Sequence, residues 1–196
     1  MKLLFVDCCI SQRGKGSRTR MLCDAFLDAY RGAHPGDTVE SVNLRAMTLP
    51  PFTRQMLNER DALAAEGKRS APVFAQAWQF ANADKIVVGA PFWDLSFPAQ
   101  LRIYIEYISA NGVSYHYDAK GCHGDCKALR LAFLTSGGNL EQRDSLGVAY
   151  WRQLCAMFGI GQFDSVFAGG LDLDPKQESR IMTLACEKAR ALGREF

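Results

Sequence analysis

Residues 84–98 read Asp84-Lys85-Ile86-Val87-Val88-Gly89-Ala90-Pro91-Phe92-Trp93-Asp94-Leu95-Ser96-Phe97-Pro98, and this stretch decides the fold. Ile86, Val87 and Val88 form an unbroken apolar run, where a strand with one wet face would alternate apolar with polar. An unbroken run suits a strand covered on both faces, as at the centre of a parallel sheet. The run stops at Pro91, and Pro98 then stands where a first helical turn tolerates a residue without an amide hydrogen. Leu101, Ile105 and Ile108 follow at helical spacing and end near Asn111-Gly112. Residues 84–112 therefore predict strand, loop and helix, the repeating unit of an α/β fold.

The same unit recurs on either side. Leu3 to Val6 is an aliphatic run that gives way to the polar stretch Cys9 to Ser17, after which Met21, Leu22, Ala25, Phe26, Ala29 and Tyr30 mark a helix. Gly32, Pro35 and Gly36 end it, and Thr38 to Leu44 alternates imperfectly, as a strand near a sheet edge would. Thr53 to Asn82 is helical twice, with a break at Gly67 to Pro72. Val113 to Tyr117 reads as extended and Asp118 to Cys126 as a loop. Leu129 to Leu134 is a strand punctuated by Thr135-Ser136-Gly137-Gly138, Leu146 to Phe158 a helix, Phe163 to Ala168 a fifth strand, and Pro175 to Leu192 a closing helix. Five strands alternating with helices predict one α/β domain over residues 1–196, a three-layer sandwich with a five-stranded parallel sheet and helices on both faces.

Composition narrows the function classes. A chain of 196 residues, 48% hydrophobic, suits one compact domain with a substantial core. The net charge of +2 comes from 23 basic and 21 acidic residues dispersed along the chain, so no single-sign run supports a nucleic-acid partner. Leu3 to Val6 is too short for a signal peptide or a membrane span, which points to a cytoplasmic protein without a membrane role. Seven cysteines without a secretory signal read as free thiols. Cys122-His123-x-x-Cys126 gathers three soft ligands, but a structural zinc site ordinarily needs two paired clusters, so no metal is expected. His34 and His116 have no partners in the sequence and read as surface or packing residues.

In an open parallel sheet, ligands bind outside the carboxyl ends of the strands, where strand order reverses. Three strand-end loops therefore carry the candidate site. The first brings Ser17, Arg18 and Thr19 to a helix start, offering hydroxyls, backbone amides and the positive end of the helix dipole to a phosphate. It lacks G-x-x-x-x-G-K-[ST] and G-x-G-x-x-G, which argues against ATP, GTP and a dinucleotide held in Rossmann fashion. The second, Ala90 to Pro98, sets Phe92 and Trp93 after the central strand, where they would edge a flat conjugated ring. The third, Thr135 to Gly138, removes side chains where a planar ligand needs close backbone approach. Each has a plain alternative: Ser17 as a simple helix cap, Arg18 and Lys15 as solvated charges, the aromatics as core lids, the glycines as a tight turn.

Together with Cys8-Cys9, Ser17-x-Thr19-x-x-Leu22, Pro98-x-Gln100-Leu101-x-x-Tyr104-Ile105-Glu106 and Gly112-Val113-x-Tyr115-x-Tyr117, these loops resemble the FMN-dependent NADH-azoreductases and their NAD(P)H-quinone reductase relatives, from Lys2 to about Gly170. The resemblance implies a flavodoxin-like sheet of order 2-1-3-4-5. It implies FMN, with its phosphate at Ser17, Arg18 and Thr19 beside Cys9, its ring against Pro91, Phe92, Trp93, Asp94 and Leu95, and its pyrimidine edge at Thr135, Ser136, Gly137 and Gly138. It further implies NADH or NADPH as hydride donor, a quinone, azo compound or similar flat acceptor, ping-pong turnover, and a homodimer with the active site at the subunit interface. No side chain is singled out as catalytic, because the flavin carries the chemistry. The sequence departs from the family where Cys8 or Cys9 stands for a common serine, and in a loop before Ser17 that is one residue longer. Thr135-Ser136-Gly137-Gly138 is closer to the quinone reductases than to the Ser-Arg-Gly-Gly of azoreductases.

Two rivals share the layout. A small cysteine phosphatase also cradles phosphate between its first strand and helix, but a C-x5-R loop would need arginine at Gly14 or Lys15. A flavodoxin-type carrier binds FMN without turning over a substrate, but such carriers tend to be strongly acidic for docking, and this chain is near neutral.

Overall fold

The computed structural model describes residues 1–11, 16–140 and 145–196; Gly14 and Lys15, on which the phosphatase spacing and one solvated charge turn, lie outside the described residues. The chain runs β1 (Lys2–Asp7), α1 (Arg18–Ala33), β2 (Thr38–Asn43), α2 (Arg54–Ala65), a 3-10 turn at Pro72–Phe74, α3 (Ala75–Ala81), β3 (Lys85–Gly89), α4 (Ala99–Ile108), β4 (Tyr115–Asp118), β5 (Gly121–Gly124), β6 (Arg130–Ser136), α5 (Leu146–Phe158), β7 (Gln162–Ala168) and α6 (Glu178–Glu195). Five strands form a parallel sheet in the order β2-β1-β3-β6-β7. With the β4–β5 pair set aside, this is the expected order 2-1-3-4-5.

Alternation of side chains along each strand splits the core into two layers. Leu4, Val6, Ile86, Val88, Leu131 and Phe133 face Leu101, Tyr104 and Ile105 of α4 and Trp151, Leu154 and Phe158 of α5. Leu3, Phe5, Val87, Ala132 and Leu134 face Leu22, Phe26 and Tyr30 of α1 and Met182, Ala185 and Ala189 of α6. Both faces of β3 are buried, which is why its apolar run is unbroken. Each large apolar side chain so buried contributes about 1.5–3 kcal/mol. β2, at the edge, fully buries only Val42, which explains its imperfect alternation. Gly89 permits the close seating of α1, since a Cβ there would stand 2.2 Å from the Cys23 sulfur. Gly159, at φ 76°, ends α5 in the left-handed conformation that favours glycine.

The structure corrects three boundaries. The expected loop over 118–126 instead holds the second strand of a hairpin spanning 115–124: Tyr115, His116, Tyr117 and Asp118 pair antiparallel with Gly124, His123, Cys122 and Gly121. The hairpin lies against the end of α5, where a Cβ on Gly124 would stand 1.9 Å from the Phe158 carbonyl carbon. The extended stretch begins at Tyr115, because Val113 and Ser114 lie in the turn that follows α4, the Ser114 hydroxyl donating to the Ile108 carbonyl at 2.6 Å. The closing helix begins at Glu178, since the Asp174 side chain and carbonyl accept from the Lys176 and Gln177 amides in a preceding turn. All seven cysteines are free.

Candidate functional site

Hydrogen bonds continue the sheet ladder past the strand ends and fix the loops there relative to one another. The Cys8 amide donates to the Gly89 carbonyl at 2.8 Å, that of Phe92 to Ser136 at 2.9 Å, that of Gly137 to Ala168 at 2.9 Å and that of Asp172 to Gly138 at 3.1 Å. The loops after β1, β3, β6 and β7 thus surround one cavity of about 230 Å³. Ser11, Ser17, Arg18 and Thr19 line it from the first loop, Pro91, Phe92 and Trp93 from the second, Ser136, Gly137 and Gly138 from the third, and Asp172 from the fourth.

At one end Ser17 caps the 16-residue helix α1, its hydroxyl accepting from the Arg20 amide at 3.4 Å. Thr19 and Ser136, both buried, share a hydrogen bond of 2.6 Å between their hydroxyls, tying the start of α1 to the end of β6. Helix dipole, amides and hydroxyls converge there as an anion site requires. At the other end Gly137 and Gly138 keep the loop free of side chains. A Cβ on Gly137 would press Phe92 at 3.1 Å, and one on Gly138 would collide with the Asp172 carboxylate at 2.1 Å.

Between them the second loop makes a tight turn. The Trp93 and Ser96 backbones exchange hydrogen bonds of 3.3 and 2.8 Å, while Asp94 and Leu95 stand at φ 49° and 66°. Two central residues at positive φ are the signature of a type I′ turn, ordinarily filled by Asn or Gly. Leucine there costs about 1–2 kcal/mol. The turn lifts Trp93 and Leu95 outward, leaving them 44% and 63% exposed. Phe92 stays inside, edge-on to Phe167 at 5.6 Å.

Four of the residues singled out by sequence do not line this cavity. Asp94 is exposed at the turn. Leu95 borders a neighbouring cavity of about 200 Å³ that shares Phe92 and adds Asn139, Leu140, Leu146 and Phe167. Cys9 borders another of about 320 Å³ that shares Ser11 and Ser17 and adds Asp7, Arg20, Asn43 and Arg45. Thr135 belongs to β6 and is fully buried, its hydroxyl without a partner among the described residues. Strand alternation turns it away from the face on which Ser136 meets Thr19.

Arg18 does reach the cavity, but its guanidinium is committed. Nε donates to Glu178 at 2.8 Å and Nη1 to Asp172 at 2.6 Å, and these two bonds, Glu178 first, raise its pKa. Cys8 is fully buried, and burial, followed by the charges of Cys9 and Asp7, pushes its thiol up to about 12. A thiol so far from ionisation is a poor nucleophile, so Cys8 is unsuited to serve as the cysteine of a phosphatase. Ser11 and Asp172 went unnoticed in the sequence. The Gly169-Gly170 pair that ends β7 was the available signal for Asp172, since it marks a fourth strand-end loop of the same kind.

A sequence profile of the flavodoxin-like fold family matches residues 1–192. The chain is 32% identical over 200 residues to FMN-dependent NADH:quinone oxidoreductase 2 of Clostridium acetobutylicum, covering 100% of this chain and 99% of that relative. The chain belongs to the flavodoxin-like quinone oxidoreductase family. A second member of this family, the FMN-dependent NADH:quinone oxidoreductase of Clostridium beijerinckii, is 29% identical over 197 residues, with 100% and 99% covered. Among solved structures, an azoreductase from Bacillus anthracis superposes with a TM-score of 0.87 at 29% identity, each chain covered in full. An FMN-dependent NADH-azoreductase of the same organism, solved in complex with FMN, superposes with a TM-score of 0.84 over 99% and 98% of the two chains; at 17% identity this is a likeness of fold.

Proposed function

We propose that the chain is an FMN-dependent oxidoreductase that takes electrons from NADH and passes them to a quinone or a similar flat, electron-poor acceptor. One observation carries the reading: a capped helix start, the Thr19–Ser136 hydroxyl pair, two side-chain-free glycines and two aromatics edge the same cavity. The cofactor in the relatives' names fits these residues. Ser17, Thr19 and the amides of α1 suit its phosphate, Pro91, Phe92 and Trp93 its ring, and Gly137 and Gly138 the close approach of its pyrimidine edge. The cavity's 230 Å³ is below the usual range of about 300–1,000 Å³ for a ligand site. The adjoining cavities share its lining and extend it on both sides.

Arg18 takes a different role from a direct phosphate ligand. By holding Asp172 and Glu178 it offsets one of the two negative charges that would otherwise repel a phosphate dianion at the helix start. Bound FMN supplies a two-electron relay between donor and acceptor. The chain's own task is to position the ring and to stabilise negative charge at its pyrimidine edge. The Gly137 amide is engaged by Ala168 and the Ser136 hydroxyl by Thr19, so that charge falls to the Gly138 amide. The apolar walls of Leu95, Leu140, Leu146 and Phe167 suit a flat acceptor beside Phe92.

NADH is taken as the donor on the relatives' names, with NADPH as the alternative to test. The protein acts in the cytosol as a homodimer: Trp93, Leu95, Leu140, Leu146 and Leu173 stand exposed about the cleft, an apolar rim that a second copy would cover. Among the described residues, no helix is long and apolar enough to cross a membrane. Steady-state oxidation of NADH by FMN-loaded protein, with and without a benzoquinone, tests the activity. Parallel lines in double-reciprocal plots are expected. NADH left untouched when the quinone is added would point instead to a carrier without its own substrate.

A further inference from the structure

We propose that the β4–β5 hairpin carries a transition-metal site in which His116 and His123 chelate one divalent ion of the Cu²⁺, Ni²⁺ and Zn²⁺ class. The two residues are direct cross-strand partners. Their rings stack with centroids 5.3 Å apart at 24°, and both side chains are nearly half exposed. Each ring is held by its own carboxylate: His116 Nδ1 lies 2.9 Å from both oxygens of Asp125, and His123 Nε2 lies 2.8 Å from Asp118. This is the arrangement that orients a metal-ligating histidine, a carboxylate on one ring nitrogen leaving the lone pair on the other. The free nitrogens are therefore Nε2 of His116 and Nδ1 of His123. A shared ion must lie in both ring planes, so chelation turns the stacked rings towards one another until the two nitrogens stand within about 4.2 Å, as metal–nitrogen bonds of about 2.0–2.1 Å require.

No group of three or more His, Cys, Asp or Glu converges on a metal position among the described residues, so the site is bidentate, with water completing the coordination. The nearby thiols stand apart from it. Cys122 pairs with Tyr117 one residue along the strand and so faces the other side of the hairpin. Cys126 donates its S–H to the Ser114 carbonyl at 3.6 Å, inside the fold. Of the Cys122-His123-x-x-Cys126 motif, only His123 is a ligand of the proposed site. Nothing here depends on the flavin reading, because the hairpin lies against the carboxyl end of α5 rather than among the strand-end loops.

Calorimetric titration of tag-free, FMN-loaded protein with CuCl₂, NiCl₂ and ZnCl₂ tests the proposal. One saturable event per chain is expected, tightest for Cu²⁺. His116→Gln or His123→Gln should abolish it, while Asp118→Asn and Asp125→Asn should weaken it about 10- to 100-fold. Cys122→Ser should leave it unchanged. Metal should also slow hydrogen exchange of the hairpin amides, because chelation staples one strand to the other, and flavin absorbance and thermal melting report that each variant is folded. Absence of a saturable event, binding that survives either histidine substitution, or binding lost in Cys122→Ser or Cys126→Ser would overturn it.

Discussion

Replacing Thr19 by valine separates two functions of one hydroxyl. The Thr19 and Ser136 hydroxyls, 2.6 Å apart and both buried, satisfy one another and tie the start of α1 to the end of β6. Valine keeps the shape and leaves the Ser136 hydroxyl buried without its partner, a loss of about 1–3 kcal/mol. In a chain of this size that lowers the melting temperature of the flavin-free protein by about 2–4 °C per kcal/mol. Removing both partners by adding Ser136→Ala should recover most of the loss, because a matched pair of apolar groups leaves nothing unsatisfied. FMN affinity should behave differently. A hydrogen bond to a charged phosphate contributes about 1.5–3 kcal/mol, so Thr19→Val should weaken FMN binding about 10- to 150-fold, and the second substitution should not restore it. Quenching of FMN fluorescence on titration with flavin-free protein measures the affinity, and thermal denaturation the stability. Wild-type affinity in the double variant would show that these hydroxyls serve only as a structural tie, and would remove the phosphate from the start of α1.

Three further expectations rest on separate features. Leu95→Gly relieves about 1–2 kcal/mol at φ 66° and gives back about 0.5–1 kcal/mol in backbone entropy, so the melting temperature should hold or rise slightly while KM for the quinone increases; a marked fall in melting temperature would contradict the strained turn. Asp37 is held well below the usual carboxylate range, first by the Met1 amino group and then by the Tyr30 hydroxyl. Its folded pKa is depressed, so its stabilisation is complete above the unfolded value of about 3.9 and is lost as pH falls towards the folded one. Melting curves of Asp37→Asn should therefore lie below wild type at pH 7 and converge with it in acid, and a gap that widened in acid would refute the assignment. Cys8→Ser should keep NADH:quinone turnover close to wild type, with aryl phosphate hydrolysis absent from both proteins, since the Cys8 thiol is buried and pushed up to about 12.

What could be read from the sequence follows from where each signal is stored. Ile86-Val87-Val88 announced a central strand because burial on two faces leaves its mark on consecutive residues, and Thr38–Asn43 announced an edge strand because only one of its positions is fully buried. The hairpin was not legible. Its strands have four residues each and contain Gly121 and Gly124, and Gly124 is there for its seat against Phe158, far away in sequence. The pairing of His116 with His123 vanished with it. In the site, Ser136 and Thr135 look equivalent until the last residues of β6 are known, after which alternation sends one to the cavity and the other into the core. Arg18 looked like a free cation because its partners lie 154 and 160 residues away.

The most direct test of the proposed function is a pair of anaerobic half-reactions on FMN-loaded protein. NADH alone should bleach the flavin's visible absorption, and a quinone added afterwards should restore it, at rates that account for steady-state turnover. A protein that takes up no FMN, or whose bound flavin keeps its oxidised spectrum in excess NADH, would contradict the central claim.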